Sequence, residues 1–530
     1  MKKKKEKAKK IAVLPIDNRP CSYDFIKMLG DYTDYKLELP PKTLLGKFLK
    51  TGNPDRLESW LRKQSKKCEA VVVSVDALLF GNLVSSRIST KSFTKVMKRL
   101  NFLRKAAKQK KGDNVYIFNI LTRLMPTTKN KKEAQFNQKL EEFLTVVYNK
   151  IKFKKVIFKE NWWDIYKLED EAKKYGIPWN KVKEYLKIRL RNHKINLLMF
   201  DWSKEGLFEY MILCLDDTKT MSLNSIERDI LRKKMKALNL KDRVSMYPGT
   251  DESIQLVLAR FLIKMKDVRP KIYIDFFPSY GSRIIPIYED ASIKEIIADQ
   301  ISAIGALQVA IPDQADIILM INAPVNQQYE AGEQDGKNFA KNRLFIYKEF
   351  LLKLNQYFEQ NKLVAVADVA YANGADIGLA EVLRKNVDVM SLAAYSAWNT
   401  AGNAMGTALV QSVLYFLYPE SRKSKAHYKF LMNRFLDDWL YQSIVRPHIS
   451  KKLQAKKIDI HDLKNKHALA QQMVAKSMKK VSQQLFGETF KKHPEMAKIT
   501  LKNAKLPWPR IFEVDLDIDI KLTSPGKSKK

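Results

Sequence analysis

Short apolar runs alternate with helical patterns through the first part of the chain. IAVLPI, AVVVSV and NVYIFNI, which begin at residues 11, 70 and 114, are continuously apolar rather than alternating. Strands of this kind are buried on both faces, as in a parallel sheet covered by helices. Residues 56–66 and 92–108, which lie between these runs, have helical spacing. The pattern predicts an N-terminal α/β domain at residues 11–130.

The alternation stops at residues 131–205, where long stretches with helical spacing predict a helical insertion. Further apolar segments then predict a second, larger α/β domain at residues 206–407. These segments are EYMILCLDD, RVSMYPGTDE, KIYIDFF, ADIILMIN, LVAVADVA and VMSLAAY. The predicted fold class is therefore α/β, with Rossmann-like layers of parallel sheet.

The last part of the chain changes character again. Residues 408–500 have a helical and basic pattern, and RIFEVDLDIDIKL, which begins at residue 510, alternates with period two. We expect this last segment to form a strand at a sheet edge, within a terminal region 501–530 that ends in a basic tail. A second basic tail is predicted at residues 1–10.

The chain of 530 residues carries 96 lysines and arginines against 58 acids, a net charge of +38. One hypothesis is that it binds nucleic acid or another polyanion. We favour the alternative that lysine solvates helix surfaces, because no stripe of basic residues is interleaved with aromatics. No apolar run is long enough to span a membrane, and no secretory segment follows the basic start. These features predict a cytoplasmic protein, and its three cysteines show no disulfide pattern.

Polar residues cluster where the predicted strands end. In open α/β sheets, ligands bind outside the carboxyl ends of the strands. An acidic side chain after a strand is also a common helix N-cap, and we expect that role for Asp251. The recurrence of acids at so many strand ends nevertheless predicts a catalytic set in one cleft. Its members are Asp17, Asp76, Asp216, Asp217, Asp368 and Asp376.

A second group of residues is predicted to bind the substrate. Arginines in these loops can balance the acids or hold a carboxylate or phosphate with two parallel hydrogen bonds. Amides and tryptophan suit the hydroxyl edges and apolar faces of sugars. The predicted substrate-binding residues are Arg19, Arg87, Arg123, Asp251, Glu252, Asn373, Trp398, Asn399 and Asn403.

The residue types favour carboxylate chemistry. None of the six histidines lies at these strand ends, and the chain has no GxSxG, P-loop or convincing GxGxxG motif. Two options remain open. The acids could hold a divalent cation such as Mg²⁺, Mn²⁺ or Ca²⁺. Alternatively, two carboxyl groups could act without a metal, as in glycoside hydrolysis.

Seven ordered motifs distributed over nearly the whole chain resemble one known bacterial family. They are DNRP, SVDALLFGNLVSSR, LDD, PGTDE, DVAYANGAD, AWNTAGNAMGTAL and LPWPRIFE. Together they are similar to the domain of unknown function 4127 family. The family pattern has glycine in place of Asn82 and Ala397. The resemblance implies a shared fold and site but no particular reaction.

The leading hypothesis is a cytoplasmic hydrolase that acts on a small polar substrate, such as a sugar or a sugar derivative. Two alternatives stay open. The lysine-rich C-terminal helices could bind a polyanion, or the chain could be a binding module that senses a small ligand without converting it.

Overall fold

A computed structural model describes residues 9–128, 131–153, 168–218, 221–334, 338–489, 493 and 496–523. The predicted basic tails fall mainly on residues 1–8 and 524–530, outside the described residues. The strands are β1 (Lys10–Leu14), β2 (Lys36–Glu38), β3 (Ala70–Ser74), β4 (Val115–Leu121), β5 (Tyr210–Leu215), β6 (Val244–Pro248), β7 (Lys271–Phe277), β8 (Leu307–Gln308), β9 (Ile317–Asn322), β10 (Tyr329–Glu330), β11 (Leu363–Asp368), β12 (Tyr371–Ala372), β13 (Ala394–Ser396), β14 (Met496–Lys505) and β15 (Asp515–Leu522).

The same residues form long and short helices. They are α1 (Phe25–Gly30), α2 (Pro54–Ser65), α3 (Val75–Phe80), α4 (Leu83–Ile88), α5 (Phe93–Gln109), α6 (Lys131–Lys152), α7 (Glu169–Lys174), α8 (Trp179–Lys204), α9 (Leu223–Ala237), α10 (Ser253–Lys266), α11 (Ile293–Ile304), α12 (Asn338–Glu359), α13 (Ile377–Asn386), α14 (Ala401–Leu417), α15 (Lys425–Arg434), α16 (Arg446–Ala455) and α17 (His467–Thr489). A π-helical segment, Phe435–Val445, joins α15 to α16. None of the described helices combines the length and apolar character needed to cross a membrane.

The chain divides into two compact units. Unit 1 comprises Met1–Asn18, Leu37–Val257 and Tyr288–Asp290, and unit 2 comprises Arg19–Lys36, Leu258–Ile287 and Ala291–Lys530. The sequence-based boundaries at residues 130, 205 and 407 do not coincide with the limits of these units, and they stay predictions.

Unit 1 is built on a six-stranded sheet in the order β2-β1-β3-β4-β5-β6. The pairs from β1 to β6 are parallel. Every residue of β3, β4 and β5 is buried, which explains why these strands read as unbroken apolar runs. The predicted helical insertion is also present, because α6, α7 and α8 bury an apolar cluster around Phe143 and Leu144.

Unit 2 contains a five-stranded sheet in the order β13-β11-β9-β7-β8, with all neighbouring pairs parallel. The apolar residues of β9 and β11 pack with α12, α13 and the C-terminal helices in one core. The sequence prediction of a mixed α/β fold with parallel sheets and a helical C-terminal region is therefore confirmed.

The end of the chain forms a small sheet of its own. The segment expected to form a strand at a sheet edge, β15, pairs antiparallel with β14 in this two-stranded sheet. The sequence analysis missed β14, whose start lies in the region predicted to be helical. Its lysines gave it the composition of the basic helices, and a register shift between Leu501 and Asn503 interrupts its alternation.

Candidate functional site

The carboxyl ends of β1, β3, β4, β5 and β6 lie along one edge of the unit 1 sheet, because neighbouring strands run parallel and in register. Leu14 pairs with Val73, so Asp17 and Asp76 follow their strands at equivalent positions. Asp216 comes directly after β5. We call this edge of the sheet, with its strand-end residues between Asp17 and Glu252, the Asp76 edge.

Arg87 on α4 makes two parallel hydrogen bonds to the carboxylate of Asp216. Arg87 Nε donates to Asp216 Oδ2 at 2.9 Å, and Arg87 Nη2 donates to Asp216 Oδ1 at 2.7 Å. The backbone N–H of Arg123 donates to the same carboxylate at 3.1 Å. Burial opposes ionisation of Asp216, but the charges of Arg87 and Arg123 outweigh it, so the pKa of Asp216 is lowered. Asp216 therefore stays ionised.

The next acid along the chain has a more open position. Asp217 Oδ2 accepts a hydrogen bond from Arg123 Nη1 at 3.1 Å, and the two side chains are 39% and 30% exposed. Burial and then the neighbouring charge of Asp216 raise the pKa of Asp217. Asp217 and Arg123 thus place an acceptor and a donor where solvent reaches them.

Asp76 lies deeper, in the first turn of α3. It is 6% exposed, and its Oδ2 accepts the backbone N–H of Ile120 at 3.0 Å. Burial raises the pKa of Asp76 to about 7, although this hydrogen bond and the charge of Arg191 oppose the shift. A carboxyl group with this pKa exchanges its proton near neutral pH.

The loop after β6 carries the predicted residues Asp251 and Glu252, which are both buried. Gly249 has a φ of +112°, and a Cβ at this position would overlap the Glu252 carboxylate. The positive φ therefore favours glycine at this position, and the missing Cβ leaves room for the Glu252 carboxylate. Asp251 lies in the turn just before α10.

The sequence analysis missed a buried ion pair that supports this edge. Arg189 on α8 donates through Nε to Glu227 Oε1 on α9 at 3.0 Å. Its Nη1 also donates to the carbonyl oxygen of Arg123 at 2.9 Å. Both residues lie within helices rather than directly after a strand, so no strand-end motif pointed to them. Both helices are rich in charged residues, so neither Arg189 nor Glu227 stood out in the sequence.

Unit 2 has a corresponding arrangement at the ends of β9 and β11, which we call the Asp368 edge. Asp368 is fully buried, and its Oδ1 accepts Asn322 Nδ2 at 2.8 Å. Its Oδ2 accepts the backbone N–H of Asp376 at 2.7 Å. Burial, followed by the charge of Asp376, raises the pKa of Asp368 to about 7.

Asp376 is the N-cap residue of α13, and both of its carboxylate oxygens accept hydrogen bonds. Its Oδ1 caps the helix by accepting the backbone N–H of Gly378 at 3.0 Å, and it also accepts Tyr347 OH at 2.7 Å. Its Oδ2 accepts Arg343 Nε at 2.8 Å. The sequence pattern did not indicate Arg343, which sits on α12. Asp368 and Asp376 together tie the strand-to-helix loop to its neighbours.

The π-helical segment of unit 2 adds a buried acid that the sequence analysis also missed. Asp438 Oδ2 accepts the backbone N–H of Ala397 at 2.7 Å, and its Oδ1 accepts Arg434 Nη1 at 2.6 Å. Burial raises the pKa of Asp438 to about 7. Gly374, with a φ of +153°, allows the neighbouring loop to approach this segment, since a Cβ would lie 2.6 Å from Ser443 Oγ.

The remaining predicted residues also belong to unit 2. Asn373 Nδ2 donates to Glu330 Oε2 at 2.9 Å, and the carbonyl oxygen of Asn399 accepts the backbone N–H of Asn373 at 2.8 Å. The guanidinium of Arg19 lies 5.2 Å from the ring centre of Trp508. The two other members, Trp398 and Asn403, are buried near the start of α14.

The predicted catalytic set is thus divided between the two units. Asp17, Asp76, Asp216 and Asp217 belong to unit 1, and Asp368 and Asp376 belong to unit 2. The expectation that all of them share one cleft stays a prediction. Among the described residues, no group of three or more His, Cys, Asp or Glu side chains could hold a metal ion. Binding of a divalent cation stays a prediction from the sequence.

The comparisons with known proteins identify a family. The model of the family described as "Protein of unknown function (DUF4127)" matches residues 11–517, which is nearly the whole chain. No curated protein and no solved structure matches the chain.

Proposed function

We propose that this chain, which belongs to the DUF4127 family, is a hydrolase that acts on a small polar substrate at the Asp76 edge. In this proposal Asp76 transfers the proton, Asp216 stays ionised, and Arg123 and Asp217 contact the substrate. The proposal narrows the sequence-based set of acids to those of unit 1.

The observation that carries the proposal is the contrast between two carboxyl groups at one strand edge. Burial raises the pKa of Asp76 to about 7. The arginines lower the pKa of Asp216. Near neutral pH, one acid can therefore give or take a proton while the other keeps its charge. Environments that push the pKa values of two neighbouring acids apart in this way are typical of acid–base catalysis.

The chemistry of the exposed groups favours a hydroxylated substrate. Arg123 offers N–H donors and Asp217 offers carboxylate acceptors, and both are partly accessible to solvent. Neighbouring hydroxyl groups, which donate and accept, match such a pair. A sugar or a sugar derivative fits this requirement and remains the proposed substrate class.

The proposed reaction returns to Asp76 the proton that it uses. The bond between a substrate carbon and its leaving oxygen breaks, and that oxygen takes the proton of Asp76. Water adds to the carbon and loses a proton, which restores Asp76 to its starting state. Proton transfer of this kind contributes about 10²- to 10⁴-fold to enzymatic rates.

The test is a panel of nitrophenyl glycosides, phosphates and esters, assayed with the full chain from about pH 5 to about pH 9. Asp76→Asn keeps the shape of the side chain but removes the titrating proton. We expect it to lower kcat by about 10²- to 10⁴-fold on any compound that the unaltered chain converts. The matched control is Asp242→Asn, which alters an exposed acid just before β6 and should leave kcat unchanged.

Two outcomes would reject the proposal. One is that Asp76→Asn retains at least half of the activity on every compound converted. The other is that nothing in the panel is converted, while a compound that raises the melting temperature is recovered unaltered. The second outcome supports the binding module, because a ligand that binds only the folded state stabilises it.

The polyanion hypothesis has the net charge of +38 in its favour. It predicts binding to nucleic acid that weakens steeply with salt. The absence of a gel shift at low ionic strength would remove it. The cytoplasmic location also remains part of the proposal, and fractionation of cells would test it.

A further inference from the structure

A cavity in unit 1 lies between α8 and the residues that lead into α5. Its volume is about 540 Å³, within the range of about 300–1,000 Å³ typical of sites for small ligands. The segment before α5 contributes Thr90, Lys91 and Ser92 to the lining, and the first residue of α5 contributes Phe93. The polar and charged lining residues of α8 recur at helical spacing, so they share one face: Asn180, Lys183, Glu184, Lys187, Arg191 and Lys194.

The lining is strongly basic. Five cations face one acid, Glu184, and that acid has a partner outside the lining, since Lys181 Nζ lies 3.6 Å from its carboxylate. Within the part of the chain that the structure describes, Lys183, Lys187 and Lys194 form no ion pair. The lining of the cavity therefore carries more positive than negative charge, and three of its lysines have no carboxylate partner among the described residues.

The arginine of this cavity is held by main-chain carbonyls. Arg191 Nη1 donates to the carbonyl oxygen of Lys91 at 2.8 Å and also to that of Ser89. Its Nη2 reaches the carbonyl oxygen of Ser86 at 3.4 Å. Carbonyl oxygens satisfy the N–H groups but leave the positive charge in place. Arg191 thus fixes the loop wall and adds a permanent charge to the cavity.

The start of α5 adds to this field. Ser92 caps the helix by accepting the backbone N–H of Lys95 at 3.4 Å. The N-terminal end of a helix carries partial positive charge and attracts anions. This feature alone would not indicate a ligand, but here it lies in the wall of a cavity that already holds five cations.

Solvation of a lysine-rich surface is the simpler explanation, and it accounts less well for the shape. A solvated face needs no cavity, and this one also has apolar lining from Phe93, Ile188 and Leu190. Apolar side chains beside several ammonium groups suit a molecule with an anionic end and a less polar body.

We propose that this cavity binds a small organic phosphate, with the phosphate held by Lys91, Lys183, Lys187 and Lys194 and the organic part against Phe93. Lysine is a common phosphate ligand. The binding site does not depend on the proposed hydrolase function.

One consequence does rest on that function. Arg191 binds the backbone of the wall segment, residues 86–91. This segment includes Arg87, whose guanidinium donates hydrogen bonds to Asp216 at the Asp76 edge. The cavity and the candidate active site therefore share one short segment. An occupied cavity is expected to steady Arg87 and to change kcat on substrates of the hydrolase.

The experiment is calorimetric titration of the full chain with inorganic phosphate, glucose 6-phosphate and adenosine monophosphate at low ionic strength. We expect an organic phosphate to bind more tightly than inorganic phosphate. The double variant Lys183→Gln, Lys187→Gln should weaken that binding at least about tenfold. The control, Lys105→Gln with Lys108→Gln, removes the same charge from exposed positions on α5 that do not line the cavity, and it should bind normally.

Three results would overturn the proposal: no binding of any probe, equal losses in the two double variants, or binding of single-stranded RNA with no binding of the small phosphates. If the α8 variant melts at a lower temperature than the unaltered chain, Lys194→Gln alone provides the same test with a smaller change. Because binding is measured without turnover, failure of the hydrolase proposal leaves this result interpretable.

Discussion

The two strand edges look alike in sequence but differ in how their acids are bonded. At the Asp368 edge, Asp376 accepts bonds from Tyr347, Arg343 and the backbone of α13, and it is almost fully buried. At the Asp76 edge, Asp217 has one arginine partner and keeps 39% of its side chain exposed.

The difference shows that an acid after a buried strand can serve two purposes. Where neighbouring helices supply enough donors, the carboxylate is saturated and holds loops together. Where donors are fewer, part of the carboxylate stays available to a ligand. We therefore propose a structural role for the Asp368 edge and a chemical role for the Asp76 edge, and the following variants test this division.

The largest effect is expected from Arg343→Met in unit 2. This change leaves Asp376 buried without its guanidinium, and breaking a buried ion pair costs about 3–5 kcal/mol. Hydrogen exchange of the amides in β9 and β11 would report the loss of unfolding free energy. The control is Arg384→Met, because Arg384 pairs with Glu381 nearer the surface at 2.7 Å and such pairs contribute about 0–1 kcal/mol. Equal losses in the two variants would contradict the structural role.

Arg87→Lys tests the two-pronged bond to Asp216. Lysine keeps the charge but cannot make two parallel N–H bonds, so we expect a loss of about 1.5–3 kcal/mol of unfolding free energy. Denaturant unfolding followed by exchange of the β5 amides measures it. Arg104→Lys is the matched control, because Arg104 and Glu205 are 38% and 44% exposed. If Arg87→Lys loses no more unfolding free energy than Arg104→Lys, the two parallel hydrogen bonds of Arg87 contribute little to stability.

The pH dependence of stability tests Asp76. Its pKa is about 7 in the folded chain, against about 3.9 for a free aspartate. Between about pH 4 and about pH 7 the folded state holds a proton that the unfolded state has lost, so stability falls as pH rises. Asp76→Asn should remove up to about 1.4 kcal/mol per pH unit from this slope, measured from denaturant midpoints across that range.

The comparison variant for this experiment is Asp368→Asn. The pKa of Asp368 is also about 7, so its slope should fall as well. In addition, the side-chain amide of asparagine has only one oxygen that can accept hydrogen bonds. The variant therefore cannot replace both carboxylate oxygens of Asp368, one of which, Oδ2, accepts the backbone N–H of Asp376. We therefore expect lower stability at every pH for Asp368→Asn but not for Asp76→Asn. An unchanged slope in Asp76→Asn would refute the raised pKa of Asp76.

The smallest change in stability is expected from Asp217→Asn. Its pair with Arg123 is partly exposed, and such pairs contribute about 0–1 kcal/mol. The same substitution should weaken binding of any ligand that occupies the Asp76 edge, as measured by thermal shift. A large loss of stability with unchanged binding would place Asp217 among the structural acids.

Much of the fold could be predicted from local pattern. Parallel strands such as β3 and β4 are buried on both faces, so their apolar runs are unbroken and easy to recognise. The strand β14 could not be recognised in this way, because its lysines and its register shift hide the alternation. The candidate acids Asp76 and Asp216 were found because each follows such a run directly.

The partners of those acids could not be predicted. Arg343 and Arg189 lie on helices with no motif around them, and Asp438 lies in a helical segment that the sequence analysis did not connect with any site. Ion pairing depends on which helices pack over a strand end, and no spacing along the chain encodes that.

The sequence by itself determined most element types, the parallel class of the two larger sheets and the acids at the strand ends, because periodicity and turn chemistry act over a few neighbouring residues. The tertiary structure decided which acids are saturated, which stay ionised and which exchange a proton near pH 7. Burial and distant arginines set these properties, since the free energy of a charge depends on everything packed around it.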